Sequence, residues 1–144
     1  MKKILFLVIL FLPLQAGSSR KARNINEFDT RNAEWEVFVK ALTWVESRHD
    51  PNAKNPKSSA LGLFQQLKIY VDDVNRIEGK KRFSYADRKN PKKAREMFEI
   101  YQSHYNPKKD ISKAINIHRG KRSEGYRKAV YKEINDIKSN WRTK

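Results

Sequence analysis

A run of regularly spaced apolar side chains that ends in a single acid constrains the fold of this chain most strongly. Large apolar residues recur at intervals of three or four positions, the period of one face of an α-helix: Trp35, Phe38, Leu42 and Val45. Glu46 follows directly, at the edge of that face. Residues 49–52 (His-Asp-Pro-Asn) end the helix, because proline disfavours helical geometry in the residue before it. We therefore predict a buried helix that presents one carboxylate at its end.

The rest of the chain follows the same helical period. Beyond a first helix from about Asp29, the apolar spacing predicts further helices at these places: about 69–77, 91–105, 110–120 and 123–141, with a short helix within 58–66. The period-two alternation of a β-strand does not run for any useful length. We therefore predict a mainly α fold in a single domain.

Composition narrows the chemistry that such a domain can carry. The chain has 144 residues, 38% of them apolar, which suits one domain with a modest core. It has no cysteine, which excludes disulfides and cysteine-bound metal, and its three histidines stand far apart. Sequence motifs for phosphate binding, dinucleotide binding and a serine nucleophile are missing. We therefore expect no metal and no cofactor, and Glu46 is the best catalytic candidate.

The N-terminal residues have the layout of an export signal. Lys2 and Lys3 precede an unbroken apolar run over 4–12, and Pro13 and a short segment ending at Gly17 follow it. The run is well short of the ~20 residues that a membrane-spanning helix needs. An uncleaved anchor is the alternative to a cleaved signal peptide.

This pattern divides the chain into three parts. We predict a signal peptide over 1–16, a flexible basic lead over 17–28 and the folded domain over 29–144. The protein is then exported to the periplasm or the extracellular space, and it meets the membrane only transiently, through the signal peptide.

The charge of the chain points to a polyanionic partner. The formal net charge is +16, which favours nucleic acid, cell wall or anionic membrane as partner, unless the basic surface only keeps the protein soluble. An exported protein rarely meets nucleic acid, so we do not expect that partner. The densest basic stretch is 76–95, with nine Lys or Arg and two acids. It forms either a solvated face or a ligand-facing one.

Three short motifs in fixed order resemble those of a known family. They are Glu-Ser at 46–47, Asp-Pro-Asn-Ala at 50–53 and Ser-Ser-Ala-Leu-Gly-Leu-Phe-Gln at 58–65. Their order and separation resemble the soluble lytic transglycosylase domain, which is related to goose-type lysozyme. A later tyrosine and valine, Tyr126 and Val130, resemble the start of that family's final helix.

The resemblance implies a lysozyme-like fold that cleaves the β-1,4 bond between N-acetylmuramic acid and N-acetylglucosamine in peptidoglycan. Glu46 would protonate the glycosidic oxygen and then act as base while the muramoyl 6-hydroxyl closes on C1, which gives a 1,6-anhydro end. A second carboxylate is not required. A general acid must be protonated near neutral pH, so we expect burial to raise the pKa of Glu46. The alternative for Glu46 is a helix-end acid paired with Arg48 or a nearby lysine.

The resemblance also implies five residues that bind substrate or support the acid: Ser47, Gly62, Gln65, His118 and Tyr126. Gln65 would bond to acetamido or hydroxyl groups of the sugar, and Tyr126 would place its hydroxyl near Glu46. The alternatives are a surface Gln, an ordinary helix-end Ser and a core Tyr. The family's Tyr-Asn-Ala-Gly motif is replaced by Ile-His-Arg-Gly at 117–120, so His118 stands where the family has Asn. A surface histidine is the alternative there.

Three other functions remain open at this point. The first is lysozyme-type hydrolysis of the same bond, and the second is a catalytically weak wall-binding or structural module of the same fold. The third is a cationic membrane-active protein, which needs a strongly amphipathic basic helix. Peptidoglycan strands are the expected partner, and anionic wall polymers or lipopolysaccharide would be held by the basic surface.

Overall fold

The structure of the protein is a computed structural model that describes residues 18–119 and 123–143, with side chains described from Asp29 onward except that of Arg142. The predicted signal peptide over 1–16 lies outside the described residues, as does Gly120.

Five α-helices make up most of the described chain, and the prediction of a mainly α, lysozyme-like fold is confirmed. They are α1 Ser18–Ser47, α2 Lys68–Ile77, α3 Pro91–Tyr105, α4 Ile111–Arg119 and α5 Glu124–Arg142. Helices α2 to α5 lie within a residue or two of their predicted bounds. None of the described helices is long and apolar enough to cross a membrane.

The structure differs from the sequence prediction at the start of α1. We expected a flexible lead up to residue 28 and a helix from Asp29, whereas α1 begins at Ser18. Residues 18–28 contain no Gly or Pro, so nothing in this stretch stops the helix from extending backward once it has formed.

The predicted short helix within 58–66 is wrong. This stretch consists of turns joined by two isolated β-bridges, Lys54 with Leu61 and Leu61 with Gln66. Gly62 and Gln65 have positive φ angles of 78° and 48°, which a right-handed helix does not permit. A 3₁₀ helix at Tyr85–Lys89 was not predicted.

The core forms where α1 packs against α5 and α3. Trp35, Phe38 and Leu42 are at most 1% exposed, and Val130 of α5 is fully buried. Burial of each such side chain contributes roughly 1.5–3 kcal/mol. Phe64, from the turn after α1, stacks on the α3 ring Phe98 with centroids 4.7 Å apart and planes at 17°. The end of α1 and the 61–66 turn are therefore fixed to the same core.

A smaller cluster joins α2 to α3. Val71, Val74 and Met97 are fully buried there, and Phe83 from the loop after α2 is 4% exposed. This cluster fixes α2 beside α3 and so positions the side of the molecule on which the cleft described below opens.

Candidate active site

Glu46 lies in the last turn of α1, and its side chain is 5% exposed. The helix ends directly after Ser47 because Arg48 and His49 take left-handed backbone angles, with φ of 55° and 64°. Partly buried Val45 and Leu63 pack against the core nearby. The carboxylate is thus held at the end of a rigid helix rather than on a loop.

Two side chains from other helices contact the same oxygen of Glu46. The Tyr126 hydroxyl of α5 donates a hydrogen bond of 2.5 Å to Oε1. Nε2 of His118, in the last turn of α4, lies 3.1 Å from Oε1. The predicted proximity of Tyr126 is confirmed, while the alternatives of a surface His118 and of an Arg48 partner are wrong. The His118 side chain is 7% exposed, and the Arg48 guanidinium lies over the Trp44 ring.

These neighbours reverse the expected change in the pKa of Glu46. Burial raises this pKa, but the hydrogen bonds from His118 and Tyr126 and the positive charges of His118 and Arg119 hold it below its usual value overall. The expected net rise is therefore not found. Burial, together with the nearby Glu46 charge, raises the pKa of Tyr126, so its hydroxyl stays a donor at neutral pH.

The turn that faces Glu46 depends on a glycine. A Cβ on Gly62 would lie 2.0 Å from the carbonyl oxygen of Arg88, and the φ of +78° also disfavours other residues. Ser47 Oγ donates to the Leu63 carbonyl oxygen at 2.9 Å, which ties this turn to α1. Gln65 Nε2 donates to the carbonyl oxygens of Ala53 and Gly62 at 3.1 and 3.0 Å. The predicted sugar contacts of Ser47, Gly62 and Gln65 remain predictions.

Sequence reasoning missed Arg88, which anchors the other side of this turn. The residue is 5% exposed although it belongs to the basic 76–95 stretch. Its Nη1 donates to the carbonyl oxygens of Ser59 and Gln66 at 2.5 and 3.0 Å, and its Nε donates to that of Tyr85 at 2.7 Å. The capping box formed by Ser84 and Asp87 was the sequence signal that could have placed a helical turn here.

A cleft of about 210 Å³ opens beside the His118–Glu46 contact. Its lining includes the following residues from the turn and from α2, α3 and α4: Gln65, Gln66, Leu67, Ile69, Tyr70, Asp73, Tyr101, Ile117 and His118. Tyr70 and Tyr101 stack with centroids 4.3 Å apart. The cleft therefore combines aromatic and amide side chains, which suits a sugar.

A larger depression lies elsewhere on the molecule. It has a volume of about 580 Å³ between the end of α3 and α4, and it contains none of the predicted site residues. In the described part of the chain, no group of three or more His, Asp or Glu side chains could hold a metal ion.

Comparison with known proteins supports the resemblance in the sequence. A family model described as the transglycosylase SLT domain matches residues 23–115. No curated protein and no solved structure matches the chain. The matched range contains the Glu46 end of α1 and the Gly62 turn, and it stops before His118 and Tyr126. Since this match covers more than half of the chain, the protein belongs to the SLT transglycosylase domain family, a family of peptidoglycan lytic transglycosylases.

Proposed function

We propose that this protein cleaves the β-1,4 bond between N-acetylmuramic acid and N-acetylglucosamine in peptidoglycan and leaves 1,6-anhydro ends. Family membership supports the substrate class. The observation that carries the mechanism is the single buried carboxylate of Glu46, held beside the cleft by Tyr126 and His118. No other carboxylate contacts Glu46 among the described residues, and Asp73 of the cleft is ion-paired with Arg76 at 2.9 Å. A one-carboxylate mechanism fits this arrangement better than a two-carboxylate one.

The proposed reaction has two proton transfers through Glu46. The protonated carboxyl gives its proton to the glycosidic oxygen as the C1–O bond breaks, and the electron pair stays on the leaving oxygen. The muramoyl 6-hydroxyl then bonds to C1 and loses its proton to Glu46. Water is not consumed, and the carboxyl returns to its starting form. Acid–base assistance of this kind contributes typically ~10²–10⁴-fold to a rate.

Tyr126 has a defined part in this cycle. Its hydroxyl donates to Oε1 of Glu46, so it stabilises the carboxylate that forms after the first proton transfer. The same bond opposes protonation of Glu46 before the reaction. We propose that substrate in the cleft displaces water beside His118 and thereby favours the protonated form of Glu46.

One experiment tests the proposal directly. The purified full-length chain is incubated with peptidoglycan sacculi, and the released muropeptides are identified by mass spectrometry. Glu46→Gln removes the proton-transfer group, and Glu124→Gln is the matched control, because the Glu124 side chain of α5 is 69% exposed. Anhydro-muropeptides from the native chain and the control, but not from Glu46→Gln, support the proposal.

The other outcomes separate the alternatives. Reducing ends that carry an added water would indicate lysozyme-type hydrolysis of the same bond. Sacculi that bind the protein without release of soluble fragments would indicate a wall-binding module. That alternative has a specific observation in its favour, since the contacts of His118 and Tyr126 hold the pKa of Glu46 below its usual value.

The basic surface supports a secondary proposal about the cell envelope. Much of the 76–95 stretch is neutralised, since Arg76, Arg82, Lys93 and Arg95 each form an ion pair with an acid. This favours the solvated-face interpretation of that stretch. The net charge of +16 still supports retention on anionic wall polymers or lipopolysaccharide, in a periplasmic or extracellular location. Salt-dependent binding to sacculi would test this, because screening weakens such attraction.

A further inference from the structure

His118 contacts the carboxylate on which the proposed function rests. Its Nε2 lies 3.1 Å from Glu46 Oε1, with the two side chains 7% and 5% exposed. The imidazole also packs edge-on against Phe98 of α3, with ring centroids 6.2 Å apart. Two ionisable groups that interact strongly at such a distance bind protons as a coupled pair rather than separately.

The groups that face this pair come from the surrounding helices, and two titratable groups, Asp73 of α2 and Tyr101 of α3, line the same cleft as His118. Helix α5 contributes the Tyr126 hydroxyl, and α4 contributes the Arg119 guanidinium, which lies 5.4 Å from the centre of the Tyr126 ring. Helix α3 contributes the uncharged Phe98 ring. The turn at 61–66 contributes apolar and amide side chains only. Apart from the pair, Arg119 is a charged side chain that lowers the pKa of Glu46.

We infer that Glu46 and His118 share a single proton and act as one acid–base pair, in which His118 holds the proton while the cleft is empty and Glu46 holds it when the cleft is filled. The inference deepens the proposed function and rests on it. His118 acts through Glu46 and makes no bond to the reacting atoms, so it is a positioning residue.

The position of His118 on the cleft explains how substrate moves the proton. His118 lines the 210 Å³ cleft, so a sugar bound there replaces the water that reaches the exposed edge of the His118 side chain. Loss of water disfavours the charged form, carboxylate with imidazolium, relative to the neutral form, carboxylic acid with imidazole. The proton then passes from Nε2 to Oε1 and places Glu46 in the state that can protonate the glycosidic oxygen.

The proton count balances over the reaction. Glu46 gives its proton to the leaving oxygen, and the 6-hydroxyl returns one proton to Glu46 as the O6–C1 bond forms. When product leaves and water returns to the cleft, the proton passes back to His118. The pair carries one proton at the start and one at the end, so no other proton donor is needed.

A spectroscopic experiment tests the pair without any activity measurement. The side-chain carboxyl carbon of Glu46 is followed by ¹³C NMR against pH in the full-length chain and in His118→Asn, which carries the residue that the family has at this position. The inference predicts two titration steps for Glu46 in the native chain, because the carboxyl carbon reports both its own proton and the loss of the proton that it shares with His118. In His118→Asn one step remains, and it lies at higher pH than the first native step, because the group that holds the pKa of Glu46 down is gone.

A single step that is unchanged in His118→Asn would overturn the inference. If His118→Asn does not fold, His118→Gln replaces it. The signals of His49 and His104 serve as internal checks of folding in either variant, since neither histidine contacts Glu46 among the described residues. The NMR titration can be measured whether or not the protein cuts peptidoglycan. A failure of the shared-proton inference can therefore be told apart from a failure of the proposed function.

A kinetic experiment tests what the pair does. With His118→Asn, kcat for sacculus digestion at pH 7 is expected to fall about tenfold, with KM within about twofold of the native value, and the optimum moves to lower pH. The reason is that in His118→Asn the carboxyl of Glu46 loses its proton at a lower pH than the one at which the native pair loses its shared proton. A fall of the same factor at every pH, with the optimum unmoved, would overturn the inference and assign His118 a purely structural part.

Discussion

The two walls of the candidate site are built by different means. On the near wall, Glu46 at the end of α1 faces the turn at 61–66. A Cβ added to Gly62 would clash with the Arg88 carbonyl oxygen, and Ser47 Oγ donates to the Leu63 carbonyl oxygen, so the backbone of this turn is tightly constrained. On the far wall, His118 and Tyr126 reach Glu46 only because α4 and α5 pack against α1. The near wall is fixed by a close backbone contact and a hydrogen bond at one turn, and the far wall by packing between helices. The first therefore tolerates few substitutions, while the second can change residue type and keep its contact.

Substitution of Gly62 should give the largest effect and tests the rigidity of the near wall. Gly62→Ala places a Cβ 2.0 Å from the Arg88 carbonyl oxygen, so we expect a loss of about 3 kcal/mol in the free energy of unfolding. Urea denaturation measures it. Gly79→Ala is the matched control, because its φ is also positive, at +68°, but nothing lies within 4 Å of the added Cβ. Equal losses in the two variants would mean that backbone strain, and not the close approach, fixes this turn.

Removal of the Arg88 side chain should give the next largest effect. Arg88→Met keeps the apolar part of the side chain and removes the Arg88 donors to three carbonyl oxygens, of Ser59, Gln66 and Tyr85, of which that of Gln66 still accepts from the Leu61 backbone N–H. We expect the free energy of unfolding to fall by about 2–3 kcal/mol. Lys89→Met is the control, since Lys89 is the sequence neighbour of Arg88 and is exposed. A stability loss no larger than that of the control would show that the turn does not need this anchor.

Removal of the Tyr126 hydroxyl should give a moderate effect on the far wall. Tyr126→Phe keeps the ring and deletes the hydrogen bond to Glu46, which we expect to lower stability at pH 7 by about 1.5 kcal/mol and to move the pKa of Glu46 upward. Urea denaturation and ¹³C NMR of the Glu46 carboxyl measure the two changes. Tyr131→Phe, on the exposed part of α5, should change neither. If the pKa of Glu46 were unchanged in Tyr126→Phe, the claim that the Tyr126 hydroxyl lowers this pKa would be contradicted.

The pH dependence of stability should show the smallest effect. The folded protein holds the pKa of Glu46 below its usual value, so this contribution to stability is present above the unfolded pKa of about 4.3 and is lost as pH falls through the folded pKa. The stability difference between the native chain and Glu46→Gln should therefore shrink as pH is lowered from 7 through that range. Urea denaturation at several pH values measures it, and a difference independent of pH would contradict the lowered pKa.

The helices and the position of Glu46 at the end of α1 were readable from the sequence because their determinants are local. Apolar periodicity gave α2 to α5, and the Asp-Pro-Asn turn marked the end of α1 near Glu46. The turn at 61–66 was mistaken for a helix because its path depends on Arg88, more than twenty positions away in the sequence. Long-range contacts of this kind leave no periodic signal.

The direction in which the folded protein shifts the pKa of Glu46 could not be predicted from the sequence. Burial was foreseeable from the position of the acid beside an apolar face, and burial alone raises its pKa. The direction reverses because α4 brings His118 and Arg119 to the carboxylate and α5 brings Tyr126. Those residues stand more than seventy positions after Glu46. The family resemblance indicated Tyr126, but only the packing of the helices shows that His118 and Arg119 reach the carboxylate.

The central claim, that Glu46 drives an intramolecular cleavage without water, is tested most directly by isotope labelling. Sacculi are digested by the full-length chain in H₂¹⁸O, and the new muramic acid ends are examined by mass spectrometry. Our account predicts 1,6-anhydro ends that contain no ¹⁸O and that disappear in Glu46→Gln. New reducing ends that carry one ¹⁸O, or anhydro ends that persist in Glu46→Gln, would contradict it.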